Sequence, residues 1–262
     1  MLRWLLNHVS SAVLAVLVTG AVVAIGSAAK WVQRRRRAGR PARDNDVRIA
    51  TMELVGVAYA ILVGFVIVSL WTSQQSAADT VADEASSLDG LVTLTNGMAP
   101  ADASAIRDAM RQYAIVEVDR EWGSMRIGDA SPSAGRQLDA IFTAIVRADN
   151  STSLRASLQD KAIDDFKDLE AHRSRRLELA KDRLAGELWM LVLASSAGLV
   201  LLVTALETDD RWDVVAAVVT STTIGLVLFV MMALSYPFSG QLAVSHGPFG
   251  AVVREIDQQV GR

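Results

Sequence analysis

Cysteine is absent from the 262-residue chain, which removes disulfides, thiolate metal ligands and cysteine nucleophiles together. Histidine is scarce: His8, His172 and His246 lie far apart and form no pair at helical spacing, so no metal site is expected from them. An excess of one charge is missing as well. The 26 basic and 29 acidic residues leave a net −3, too little to draw in nucleic acid. No Gly-rich phosphate loop and no nucleophile elbow is present, and the carboxylate pairs fall on faces that read as solvated. Neither enzyme activity nor a cofactor is expected.

What the chain has in abundance is apolar residue, 51% of the total, with a mean hydropathy of +0.28. It is concentrated in four blocks: Leu5–Trp31, densest over Ala12–Ala29; Ile49–Trp71; Leu188–Leu206; and Val214–Tyr236. Each holds roughly 19 to 25 residues, enough to cross about 30 Å of hydrocarbon at 1.5 Å per residue. Trp31, Trp71, Trp189 and Tyr236 stand at block ends, where aromatic anchors belong. The first block has some features of a signal peptide, Arg3 in front and Ser27-Ala28-Ala29 behind. Its length and the Arg34–Arg37 run that follows read instead as a stop-transfer signal, and it is taken as a span.

The expected fold is all-α: an integral protein of the cell membrane with four transmembrane helices and a helical bundle between spans two and three. Residues 1–72 hold the first two spans and their basic loop, 73–187 the extramembrane domain, 188–236 spans three and four, and 237–262 a C-terminal segment. The loop carries Lys30, Arg34, Arg35, Arg36, Arg37, Arg40, Arg43 and Arg48 against Asp44 and Asp46. Short loops this basic stay in the cytoplasm, which sends both termini and the large domain outward. Arg173, Arg175, Arg176, Lys181 and Arg183 argue the other way, but long domains cross largely regardless of charge.

The intervening domain has helical periodicity and few breaks. Val81, Ala85, Leu88 and Val92 extend span two beyond Trp71 as one helix, up to the break at Gly97–Pro100. A second helix carries Ile106, Met110, Tyr113 and Trp122 toward its buried face, with Asp102 or Ser104 as its cap. After Gly128–Pro132 a short helix holds Leu138, Ile141, Phe142 and Ile145. The last, capped by Ser151 or Asn150, shows Leu154, Leu158, Ala162, Phe166, Leu169, Leu177, Ala180 and Leu184, and is expected to run into span three.

An ordered set of residues resembles the bestrophin-like bacterial membrane proteins. It comprises Gly56, Tyr59, Ala60, Gly64, Phe65 and Trp71 in span two, then Glu84-Ala85, Tyr113, Glu121-Trp122, Arg176-Leu177 and Leu188-Trp189. Pro237-Phe238, Gly240, Val244-Ser245 and Pro248-Phe249 complete it. The resemblance covers most of the chain from about Thr51 onward. It implies a remote link to bestrophin anion channels, which are oligomers with a central pore and keep their large domain in the cytoplasm.

The pore-lining candidates are Glu53, Gly56, Ala60, Gly64, Thr220 and Thr223. Gly56, Ala60 and Gly64, four apart, form a small-residue face that lets a helix backbone approach, in this chain or a neighbouring subunit, or leaves room for an ion. Glu53 is the only carboxylate within the four blocks; such a residue faces protein or water, or snorkels to the interface. The hydroxyl run Thr220–Thr223 suits bonding to its own helix carbonyls or lining a wet path. Arg34, Arg35, Arg36 and Arg37 are the candidates for lipid headgroup contact. Asp160, Asp164 and Asp168, with Lys161 and Lys167, read as a solvated face. Glu207, Asp209, Asp210 and Asp213 read as a short acidic turn. Two functions fit: a homo-oligomeric channel for inorganic ions, or a non-conducting sensor or scaffold whose helical domain binds a partner.

Overall fold

The computed structural model describes residues 2–37, 46–182, 184–205 and 212–260. Among these residues there are ten α-helices, one π-helical turn and no strand. They are α1 (Leu2–His8), α2 (Ser11–Arg37), α3 (Asp46–Thr95), α4 (Pro100–Val116), the π turn (Glu117–Glu121), α5 (Trp122–Met125), α6 (Pro132–Arg147), α7 (Ser153–Lys181), α8 (Gly186–Ala205), α9 (Trp212–Leu234) and α10 (Gly247–Val260). Arg40, Arg43 and Asp44 of the basic loop, and Glu207, Asp209 and Asp210 of the acidic turn, lie outside the described residues.

The chain divides into two compact units: residues 1–72 with 183–236, and residues 73–182 with 237–262. Helix α3 contributes to both, without a break between Asp46 and Thr95.

Unit one holds the apolar stretches that can cross a membrane: Ser11–Arg35 of α2, the first part of α3, α8, and Val214–Leu234 of α9. The protein is an integral membrane protein. Val66 and Leu70 of α3 pack with Val192, Leu199 and Val200 of α8 and with Ile224, Leu228 and Met231 of α9. The closest approach is between α2 and α9. A Cβ on Gly225 would stand 2.6 Å from the Thr19 backbone, and one on Gly26 would stand 2.4 Å from Ser221 Oγ, so only glycine fits these crossings. Only 11% of the apolar window of α2 is buried within the chain, leaving the remainder for lipid or other subunits.

Two cations close the C-terminal end of α8, where helix carbonyls lack partners. Lys30, 6% exposed, donates to Thr204 O at 3.4 Å, and Arg48 donates to Ala205 O at 2.9 Å.

Unit two is built on the stripe anticipated from periodicity: Ala77, Val81, Ala85, Leu88 and Val92 of α3 pack against Ile106, Met110 and Tyr113 of α4. Ile141 and Ile145 of α6 and Phe166 and Leu169 of α7 complete this face. Phe238, Phe249, Val252 and Ile256 join the same core, so the C-terminal residues are part of it. At about 25 cal/mol per Å², burying each large apolar side chain contributes roughly 1.5–3 kcal/mol. Gly128, with φ 88°, supplies the left-handed turn that ends α5 before Pro132 opens α6.

Three local expectations are corrected. The cap of α4 is Ala99, with Pro100 in the first turn and no side-chain cap. Asp102 instead accepts the Asp149 N–H at 2.9 Å, tying α4 to the end of α6. At the start of α7 the cap is Thr152, which accepts the Arg155 N–H at 3.2 Å; Asn150 turns to Gln159 and Ser151 to Asp149. Nor does α7 run into α8. It stops at Lys181, where Asp182 turns extended with ψ 144°, and Ala185-Gly186 is a weak continuation.

Candidate functional site

Three helices of unit two each place a charge where their apolar stripe predicts a hydrophobe. On α3 it is Glu84, between Val81 and Leu88. Beyond α4, the Met110–Tyr113 stripe continues into Glu117 and Glu121, and on α7 Leu169 is followed by Arg173 and Arg176. Glu84, Glu117, Glu121 and Arg176 are fully buried.

Glu117 and Glu121 owe their shared direction to the π turn. The Trp122 N–H donates to Glu117 O, five residues back, so this stretch holds one residue more than a regular turn. The wider turn keeps both carboxylates inside while Asp119 and Arg120 stay exposed.

Arg176 is the centre of the cluster. Its Nε and Nη2 grip Glu84 at 2.5 and 3.0 Å, Nη2 also donates to Glu117 Oε2 at 2.6 Å, and Nη1 meets Met125 Sδ at 3.0 Å. The Trp122 and Phe249 rings lie 5.2 and 5.8 Å from its guanidinium carbon. Tyr113 donates to Glu84 Oε1 at 2.6 Å. Arg173 donates to Glu121 Oε1 at 2.9 Å, and the Ser131 N–H donates to Glu121 Oε2 at 3.0 Å. Trp122 is fixed by Phe238, His246 and Phe249 in edge-on contacts and by donation to Val244 O at 3.2 Å.

The electrostatics follow from this packing. Burial by itself would push the Arg176 guanidinium down, but Glu84 and Glu117 more than offset that and hold it well above its ordinary value. Burial, reinforced by Glu84 and Glu117, raises Tyr113 well above its ordinary range, so it remains a donor. A dry, paired cluster of this kind binds no substrate. Among the described residues no group of three or more His, Asp or Glu is arranged for a metal.

The sequence-derived pore candidates lie in unit one and do not converge within the chain. Glu53, Ala60 and Gly64 are exposed and Gly56 is half-buried; nothing stands within 4 Å of a Cβ built on either glycine. Close helix contact in this unit uses Gly26 and Gly225 instead. Thr220 is half-buried and Thr223 exposed, with its hydroxyl donating to Val219 O at 3.0 Å. Arg34 is exposed and Arg35 stacks 3.7 Å over the Trp31 ring; Arg36 and Arg37 close α2. Asp164 pairs with Lys167 on the solvated face of α7.

The charge cluster was only partly visible beforehand. Glu84, Tyr113, Glu121 and Arg176 belong to the set that carries the family resemblance, and the fold brings them together with Trp122 and Phe249. Glu117 was missed, and Arg173 was read as one of a run of surface charges. The available signal was phase: opposite charges at stripe positions of three helices.

A family model, the Bestrophin-like domain, matches residues 20–249. Two solved variants of a bacterial bestrophin homologue from Klebsiella pneumoniae share the fold at 16% identity. One has TM-score 0.71, covering 97% of this chain and 100% of that one; the other has TM-score 0.68, covering 94% and 99%. A structure described as a membrane protein aligns with TM-score 0.70 and 15% identity, covering 95% of this chain and 99% of its own. No curated protein matches the chain. A match over residues 20–249 takes in both units and every residue of the charge cluster: the chain belongs to the bestrophin-like family.

Proposed function

We propose that the protein is an oligomeric ion channel whose central pore is lined partly by the membrane portion of α3. Family membership supports a protein of the channel kind, and one observation carries the finer reading: half of that helix is left uncovered by its own chain. Val55, Tyr59, Val63, Val66 and Leu70 face inward, whereas Glu53, Leu54, Val57, Ala60, Ile61, Gly64, Phe65 and Val68 are exposed along the opposite arc. A half-bare span in a family of oligomers invites a symmetry axis.

Around such an axis Glu53 forms a ring of charge at one mouth, with Ala60 and Gly64 giving room deeper in. Val57, Ile61 and Phe65, one turn apart, would form a constriction that gates by dewetting. The Glu53 ring concentrates cations and repels anions, against the anion selectivity that a bestrophin link implies.

The test is reconstitution in a planar bilayer with asymmetric salt. Wild type is expected to pass current, and Glu53→Gln to shift the reversal potential toward anions. Conduction with an unchanged reversal potential would remove Glu53 from the pore. No current under varied voltage, pH and calcium would leave the non-conducting sensor or scaffold in its place.

A further inference from the structure

The pore reading makes no use of the interior of unit two, where three carboxylates meet two guanidiniums. Fully ionised, Glu84, Glu117, Glu121, Arg173 and Arg176 carry one excess negative charge away from water, a costly state. The imbalance is localised. Glu84 is held by Arg176 and Tyr113, and Glu121 by Arg173 and the Ser131 amide. Glu117 Oε2 takes one bond from Arg176, while its Oε1 accepts none. Arg173 Nε, 3.4 Å from that oxygen, is also without an acceptor.

We propose that Glu117 is a proton-binding site, and that the cluster around it is a pH sensor built into the helical unit. A proton from solvent, arriving beside the 13%-exposed Arg173 side chain, forms an O–H bond at Oε1 and leaves the cluster neutral. Oε2 still accepts from Arg176 Nη2, but as part of a neutral carboxyl, which about halves that bond. The same Nη2 holds Glu84 of α3, so occupancy of Glu117 resets how tightly α7 ties the π turn and α3 together.

The surroundings set the working range. Burial drives the Glu117 carboxyl up, Arg176 draws it down, Glu84 and Glu121 push it up again and Arg173 draws it down, leaving it at about 7. Tyr113 of α4 also faces it, as a neutral donor. The charged residues Arg136, Asp139 and Arg147 of α6 are exposed; on α10, Asp257 pairs with Arg111, Glu255 with Asp89, and Arg254 is exposed. The nearby histidines engage other groups, His246 the Trp122 ring and His172 Ser87. The sign follows from the raised value. The folded chain keeps a proton that the unfolded chain releases, so the cluster's contribution is complete below the ordinary 4.5 and is lost as pH rises through about 7.

Infrared difference spectra of the full chain in lipid vesicles, between pH 8 and pH 6, read the site directly through the C=O stretch of a protonated carboxyl. Histidines do not contribute to that band. Wild type should gain one such band with a midpoint near 7, and Glu117→Gln should lack it. Glu178→Gln, on the exposed face of α7, should retain it. Arg173→Gln removes a cation that holds the carboxyl down, so its midpoint should rise; this variant decides the matter if Glu117→Gln fails to fold. No band in wild type, the same band in Glu117→Gln, or a midpoint unmoved or lowered in Arg173→Gln would each overturn the proposal. Where the protein conducts, the current should change over the same pH range. The sensor's link to conduction rests on the channel reading, but the infrared result does not, so the two can fail separately.

Discussion

Replacing Arg176 by methionine isolates what the buried cluster contributes. The side chain is fully buried and makes three donor contacts to carboxylates and one to a thioether. Methionine fills much of the same volume, so the cost is dominated by the abandoned charges. Glu117 can take up a proton cheaply near neutral pH, since its carboxyl already sits at about 7. Glu84 keeps only Tyr113. For a carboxyl of ordinary pKa, about 4.3, neutralisation at pH 7.4 costs roughly 4 kcal/mol, within the 3–5 kcal/mol typical of breaking a buried pair. For a chain of this size that corresponds to a lowering of the apparent melting temperature by about 8–16 °C. The assay is thermal unfolding of the purified chain in detergent, followed by near-ultraviolet circular dichroism. Adding Glu84→Gln to Arg176→Met should restore part of the loss, because the abandoned charge is gone while Tyr113 keeps an acceptor. A shift below about 2 °C, or a double variant as damaged as the sum of the two singles, would refute the account.

Two further predictions concern packing and topology. Gly225→Ala should destabilise the membrane unit by about 1–3 kcal/mol by overpacking against the Thr19 backbone, read as a lower melting temperature. Gly64→Leu meets nothing within the chain, so it should disturb only the oligomer; an unchanged oligomer in detergent would assign that face to lipid. A cysteine at Ser153 should be labelled by an impermeant reagent on intact cells, and one at Ala38, outside the described residues, should not. The reverse pattern would place the large domain in the cytoplasm.

The four apolar blocks and the core of unit two were legible because they follow from periodicity and length, which a single chain displays. Val81, Ala85 and Leu88 announce a helix that outlasts its span, and α3 is that helix. The caps were harder. Asp102 and Ser151 are good capping residues by type, but Pro100 and Thr152 start the helices, and the neighbouring polar groups bond elsewhere. The charge cluster was hardest, since its meaning lies in which helices meet. Arg176 beside Arg175 looks like one more surface cation; only the fold shows that one points into the core and the other into water. The open arc of α3 is a similar case, because a sequence lists small residues without saying whether another helix covers them.

The π turn at Glu117–Glu121 has a consequence for how this chain tolerates insertion and deletion. A π turn is a regular helix with one residue added, and here the addition sets the phase of everything after it. Removing one residue, Asp119 for example, would let the stretch close as an ordinary α-helix and relieve its backbone. It would also rotate the downstream residues by about 100°. Trp122 and Met125 would then leave the Arg176 guanidinium, and Glu117 and Glu121 could no longer both face inward. A deletion that improves the local helix would thereby take apart the cluster, so the spacing from Tyr113 to Trp122 is expected to be less free to vary than the identity of the exposed residues between them.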